Sequence, residues 1–233
     1  MKVCLFGISG IPIGRHNVKD VRLDEADKLV EADKKTYIQV EVTEQKEIAN
    51  AEAIVVSEDS LADLLLSDLE FIENRLSKNP PQEEATVLNK VREHLESGKP
   101  ISANVLSPDE LKIISIHSLY TLKPVVIATK EELENFDAFL VRVLKESGYS
   151  CFFTVGGKEN RAWLIKKGMT AYDAAGAIHS DIQKGFIRAE IISYDDLIQN
   201  CGETGAKRAG KLRLETKNYV IQDCDIVHFR FNK

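Results

Sequence analysis

The chain has 233 residues, 43% of them hydrophobic and 29% charged, with a formal net charge of -6. This is the profile of an ordinary globular protein, long enough for one large domain or two modest ones. No apolar run approaches the ~20 residues that span a bilayer, and the start Met1–Gly7 is too short for a signal-peptide core, so a cytoplasmic protein with no membrane partner is expected.

Lys2–Phe6 is a short apolar run stopped by Gly7, as a buried strand entering a turn would be. Thr36–Val42, Ala53–Ser57 and Pro124–Ala128 complete the apolar, β-rich runs, and together they predict a four-stranded, largely parallel sheet. Between the third and fourth strands, Ser60 with Asp63 has the spacing of a capping box. Leu61, Leu64, Leu65, Leu69, Ile72 and Leu76 then recur at helical spacing until Asn79-Pro80-Pro81. A second run, Glu83–Ser97, places Val87, Leu88, Val91 and Leu95 on one face and ends at Gly98. The pair predicts an antiparallel helical hairpin over about 59–98. Ser107-Pro108-Asp109-Glu110 is a capped helix start, and a further helix, Glu131–Ser147, terminates at Gly148.

From Tyr149 the pattern changes to short strands, at 150–155, 161–166, 186–193, 211–214 and 226–231, around one helix from Thr170 to about His179. That order predicts an α+β roll and a domain boundary near Gly148, giving domains 1–148 and 149–233. Residues 149–233 hold 13 Lys and Arg against 10 Asp and Glu, and residues 1–148 hold 18 against 27. The C-terminal part is therefore the expected anion-binding half.

The run Arg161-Ala-Trp-Leu-Ile-Lys-Lys-Gly168 is followed by Ala174-Ala-Gly-Ala-Ile-His179, Lys184–Glu190, Tyr194–Leu197 and Asp225–Phe231. In this order and at these spacings the segment resembles the C-terminal TGS domain of the YchF-type Obg-like ATPases, a branch of the P-loop NTPases associated with ribosomes. Ser60–Glu70 and Leu95–Pro100 are similar to the start and exit of that family's helical arm, and Leu122–Val125 to the strand before its base-recognition motif. Gly7-Ile-Ser-Gly-Ile-Pro12 resembles the family's opening, and Arg22-Leu-Asp24 a segment normally found well downstream. The resemblance implies a fold of α/β plus α+β class: a reduced parallel-sheet, P-loop-like domain with an inserted helical hairpin, then a ubiquitin-like β-grasp.

The chain departs from the family where the nucleotide chemistry lies. A phosphate loop needs a fixed length, a Lys for the β and γ phosphates and a hydroxyl for Mg²⁺. Here Gly10-Ile-Pro-Ile-Gly14 is one residue short, with Arg15 in place of the Lys and His16 in place of the hydroxyl. Arg contacts phosphate with a fork that does not replace a compact ammonium. Val42–Glu47 stands where the metal sensor Asp-x-x-Gly belongs, and Ala128–Glu131 carries no Asn for base recognition. These departures predict a degenerate nucleotide site and a protein that is not an enzyme, with no catalytic residues, no cofactor and no metal. Gly10, Gly14 and Arg15 remain as residual phosphate-loop candidates.

Other motifs carry less. His179-Ser180-Asp181 has the letters of a hydrolytic triad, but triads are assembled from distant segments. Glu41, Glu44, Glu47 and Glu52 read as a solvated face. His94 and His117 read as packed or surface histidines, and Trp163 as core packing. Cys4, Cys151, Cys201 and Cys224 form no Cys-x-x-Cys pair and read as reduced structural thiols.

The function that these features predict is a nucleotide-independent relative of the translation-associated ATPases, binding RNA or the ribosome through the TGS domain. Phosphate contacts would come from Arg161, Lys166, Lys167, Arg188, Lys207, Arg208, Lys211 and Arg213. Lys207 and Arg208, in the Gly-rich stretch from Gly202 to Gly210, are expected on an exposed loop. The alternatives are a residual ATP- or GTP-binding protein with little or no hydrolysis, and a scaffold that takes a protein partner through the helical arm.

Overall fold

The computed structural model describes residues 1–101 and 105–232. The first elements are β1 (Lys2–Phe6), β2 (Gly14–Asn17), α1 (Val21–Leu29), β3 (Lys34–Thr36), β4 (Gln39–Thr43) and β5 (Ala53–Ser57). Helices α2 (Leu61–Leu76), α3 (Gln82–Glu96) and α4 (Pro108–Ile114) precede β6 (Val125–Ala128), α5 (Lys130–Glu134) and α6 (Phe136–Glu146). Then come β7 (Tyr149–Thr154), β8 (Glu159–Lys166), α7 (Ala171–Ile178), α8 (Ser180–Lys184) and β9 (Phe186–Ile192). The chain closes with α9 (Tyr194–Gln199), α10 (Glu203–Arg208), β10 (Arg213–Glu215) and β11 (Asp225–Phe231).

The first compact unit combines Met1–His16 with Val40–Phe139, and the second combines Asn17–Gln39 with Leu140–Lys233. The sequence boundary at 148 therefore shifts, because the segment 17–39 joins the C-terminal unit. The cause is a long-range pairing: β3 runs parallel to β8, with Lys34 opposite Glu159 and Thr36 opposite Arg161. The expected single strand 36–42 is accordingly two strands, β3 and β4, in different sheets.

In the first unit the sheet order is β2-β4-β1-β5-β6, five strands instead of the expected four. Around β1 the pairing is parallel, with Val3 opposite both Val42 and Ala53. β1 and β5 read as continuous apolar runs because both their faces are covered: Val3, Cys4, Ile54, Val55 and Val56 are fully buried. Helices α2 and α3 form the expected hairpin. Leu65, Ile72, Leu88, Val91 and Leu95 close its seam, each contributing roughly 2 kcal/mol through burial. The capping role given to Ser60 is not met, since its hydroxyl lies 3.0 Å from Ser57 Oγ and donates to Gly7 O at 3.4 Å. A Cβ on Gly7 would sit 2.0 Å from Ser60 Oγ, so only glycine admits this approach. At α4 the capping box forms as read, with Ser107 Oγ accepting from Glu110 N–H and Pro108 in the first turn. The helix expected over 131–147 is interrupted at Asn135, which leaves the helical region at φ -118° and ψ 57°.

In the second unit the sheet order is β10-β9-β11-β7-β8-β3. Phe152, Ile165, Ala189, Ile191, Val227 and Phe229 meet Ala171, Ala174 and Ala175 of α7 in one buried cluster. Three alanines on one helix face let the sheet wrap closely around it, the β-grasp arrangement. The expectation of a single helix after Tyr149 is corrected, because the short helices α8, α9 and α10 also form there. Ser193 caps α9, accepting from Asp196 N–H.

Candidate functional site

Two regions bear on function. In the first unit, Gly7 (φ 64°), Gly10 (φ 85°) and Gly14 (φ 120°) sit in the left-handed region that glycine tolerates. Nothing lies within 4 Å of where a Cβ on Gly10 or Gly14 would stand. Strand β2 follows this loop, however, where a phosphate loop would open a helix whose N–H groups point at the anion. His16 is held by its own neighbourhood, with Nε2 2.7 Å from Pro12 O and Nδ1 3.1 Å from Asp137 Oδ1. The adjoining hollow, of about 310 Å³, is lined by Leu5, Ser9, Ile13 and Glu44, so its charged side chain is an acid.

In the second unit, register separates the eight basic candidates. Arg161 lies opposite Thr154, two pairs along from Phe152 and Trp163, and shares a face with Ile165. Arg213 is opposite Ile191, on the same face but on the far strand, β10. At ~4.8 Å per strand the four intervals from β10 to β8 put these two positions roughly 19 Å apart. Arg188 pairs with Arg230 on the opposite face. Lys211 Nζ is 3.1 Å from Asp196 Oδ1, and Arg213 lies 3.9 Å from buried Asp225. Lys166 ends β8 and Lys167 follows it in the turn. Lys207 and Arg208 form the last turn of α10, not a loop, where their charges suit the carbonyl end of the helix. The eight residues therefore do not make one patch.

A different grouping emerges at the β3 edge. Pairing of β3 with β8 stops at Thr36 and Arg161. Around that end, Lys35, Tyr37, Gln39, Arg161, Trp163 and Leu164 line a groove of about 650 Å³, together with Lys34 and Thr36. The Arg161 guanidinium carbon is 4.0 Å from the centre of the Trp163 ring, and Trp163 stacks on Phe152 at 6.4 Å while donating from Nε1 to Thr154 Oγ1 at 3.0 Å. Trp163 is thus packed on the core on one side, as expected, and covered by Arg161 on the other. Lys35 Nζ is fixed at 2.6 Å from Asp24 Oδ1 and 3.5 Å from Asp27 Oδ2. Burial works against the Asp24 carboxylate, but hydrogen bonds from Lys35 and Tyr37 hold it below the usual range. Lys34 and Arg161 are the freer cations, with side chains 68% and 40% exposed and Glu159 as their shared acid, at 3.2 and 3.9 Å. Of the eight candidates only Arg161 lies in this groove; Lys34, Lys35 and Tyr37 were missed.

By compact unit, residues 17–39 and 140–233 carry 20 Lys and Arg against 17 Asp and Glu, and the remainder 11 against 20. The positive balance stays with the unit that holds the groove. Among the described residues no helix is long and apolar enough to cross a membrane.

The family described as YchF-GTPase_C, a protein of unknown function, matches residues 149–232. The ribosome-binding ATPase YchF of Bacillus subtilis is 34% identical over 235 residues, covering 73% of this chain and 64% of that protein. The Pasteurella multocida protein of the same name is 62% identical over 81 residues, 35% of this chain and 22% of that one. The chain thus spans less than two thirds of the length of these relatives. The structure of the Schizosaccharomyces pombe YchF GTPase superposes with a TM-score of 0.74, covering 99% of this chain and 97% of that one at 19% identity, which establishes the shared fold. The expectation of a protein that is not an enzyme is overturned by these relatives: at up to 62% identity they are named ATPases.

Proposed function

The chain belongs to the YchF-type Obg-like ATPase family, and on that premise we propose that its C-terminal unit binds ribosomal RNA through the groove at the β3 edge. Cations and aromatic rings facing one groove are the observation that carries this reading. Lys34 and Arg161 meet backbone phosphates, and Tyr37 offers ring surface to an unpaired base, with Trp163 backing the Arg161 guanidinium. Contacts of this kind depend on charge, so association falls as salt rises. Binding through this unit needs no nucleotide in the first unit, and co-sedimentation with ribosomal particles, with and without ATP and Mg²⁺, tests that point. Equal sedimentation in both supports it, and sedimentation only with ATP contradicts it.

A second reading places ATP, the substrate for which the relatives are named, at the 7–16 loop. Open space beside Gly10 and Gly14 favours it, with Arg15 next to them as the phosphate contact. A ligand of the native state raises Tm by mass action, so ATP with Mg²⁺ should raise the Tm of the parent and not of Arg15→Glu.

A further inference from the structure

Cys151 of β7 and Cys224, just before β11, are register neighbours. The two strands run parallel with Phe152 opposite Asp225, and Cys224 N–H donates to Cys151 O at 2.8 Å. Adjacent strands lie about 4.8 Å apart, within the roughly 4.4–6.8 Å of Cα separation that a disulfide spans. Their sulfurs are 3.4 Å apart and both side chains are buried. Asp20 brings a carboxylate oxygen within 4.8 Å of both sulfurs. Arg22 already grips that carboxylate, donating from Nε at 2.9 Å and Nη2 at 2.7 Å, and donates to Asp223 Oδ2 at 2.6 Å. The guanidinium supplies the positive charge that a metal ion would bring, which leaves the pair with thiol chemistry.

We propose that Cys151 and Cys224 are a reversible redox dithiol that closes to an intramolecular disulfide when a peroxide enters the cavity beside Cys151. That cavity, of about 190 Å³, is lined by Cys151 together with Arg22, Ser150 and Asp223, and it does not include Cys224. Cys151 is therefore the attacking sulfur and Cys224 the resolving one. The Cys151 thiol faces Asp223 Oδ1 at 3.7 Å, which offers its proton an acceptor. Contact with Cys151 and burial raise the Cys224 thiol far above its ordinary range, consistent with its acting second.

In the first step the Cys151 sulfur attacks one peroxide oxygen, the O–O bond breaks, and water leaves, so that the sulfur becomes a sulfenic acid. In the second, the Cys224 sulfur attacks the Cys151 sulfur, the S–O bond breaks, and a second water leaves. Two thiols and one hydrogen peroxide give one disulfide and two waters. A small thiol such as glutathione reverses the closure by exchange.

The bond would close a loop spanning 73 residues and restrict the unfolded chain. The test is hydrogen peroxide treatment of the full chain, followed by unfolding, alkylation and peptide mapping. Two of the four free cysteines should resist alkylation, the linked peptides should be those of Cys151 and Cys224, and a thiol reductant should restore all four. The oxidised chain should melt higher by at least about 5 °C. Cys224→Ser should accumulate a dimedone-trapped sulfenic acid at Cys151, whereas Cys151→Ser should leave Cys224 unlabelled. Four alkylated cysteines after peroxide, or linkage through exposed Cys201, would overturn the proposal. The mapping uses the parent protein and is independent of whether either variant folds.

Discussion

The guanidinium of Arg161 lies 4.0 Å from the centre of the Trp163 ring, two residues along the same strand. Side chains two apart on a strand share a face, so the contact follows from sequence spacing, and the free end of the pairing with β3 leaves it open to a ligand. The two residues should separate experimentally. Arg161→Ala removes an exposed cation–π contact and should cost less than about 1 kcal/mol of stability. Trp163→Ala also strips packing from Phe152 and should cost about 2–4 kcal/mol. Chemical denaturation of both variants checks the ranking, and equal losses would count against it.

A second prediction concerns acid. Glu84, buried in the helical hairpin, accepts from Arg75 Nε at 2.6 Å and Nη2 at 2.9 Å, with His117 Nε2 at 2.9 Å. Arg75 first, and His117 with it, hold the carboxylate down to about 2. A carboxyl depressed in the folded state gives stability that is present above its unfolded value of about 4.3 and is lost as pH falls through the folded one. Glu84→Gln should therefore lower Tm at neutral pH, and the gap to the parent should narrow steadily between about pH 5 and pH 2. A gap independent of pH would show that charge plays no part in the clamp.

The third prediction rests on Asp68, a buried acid of α2. It accepts from Tyr120 N–H at 2.7 Å, Thr121 N–H at 2.8 Å and Thr121 Oγ1 at 2.6 Å. Asp68→Ala leaves these donors without their acceptor, at a cost of about 2–4 kcal/mol. Urea denaturation of the variant measures it, and a loss within ~0.5 kcal/mol would mean that water replaces the carboxylate.

Much of the first unit was legible, because β1, β5 and β6 are continuous apolar runs and α2 to α4 carry the helical period and the Pro and Ser stops. The segment 17–39 was not. Strand β3 has three residues, Lys34, Lys35 and Thr36, none apolar, so no alternation marks it, and its partner β8 begins over a hundred residues away. The groove was lost with it: Arg161 was found from the basic, aromatic β8 run, but its companions arrive only through a long-range register. The signal available was the Lys34-Lys35-Thr36-Tyr37 run, in which two cations stand next to a ring. Lys207 and Arg208 were placed on a loop because glycines flank them. Gly202 and Gly210, both at positive φ, bracket a short helix instead.

The most direct test of the central claim sets two charge reversals against each other in ribosome co-sedimentation at low and moderate salt. Lys34→Glu with Arg161→Glu, at the groove, should weaken association and reduce its salt slope by about two, one for each lost phosphate contact. Lys207→Glu with Arg208→Glu, on α10, should leave both nearly unchanged. If the α10 pair carries the loss and the groove pair sediments like the parent, the groove is not the RNA site.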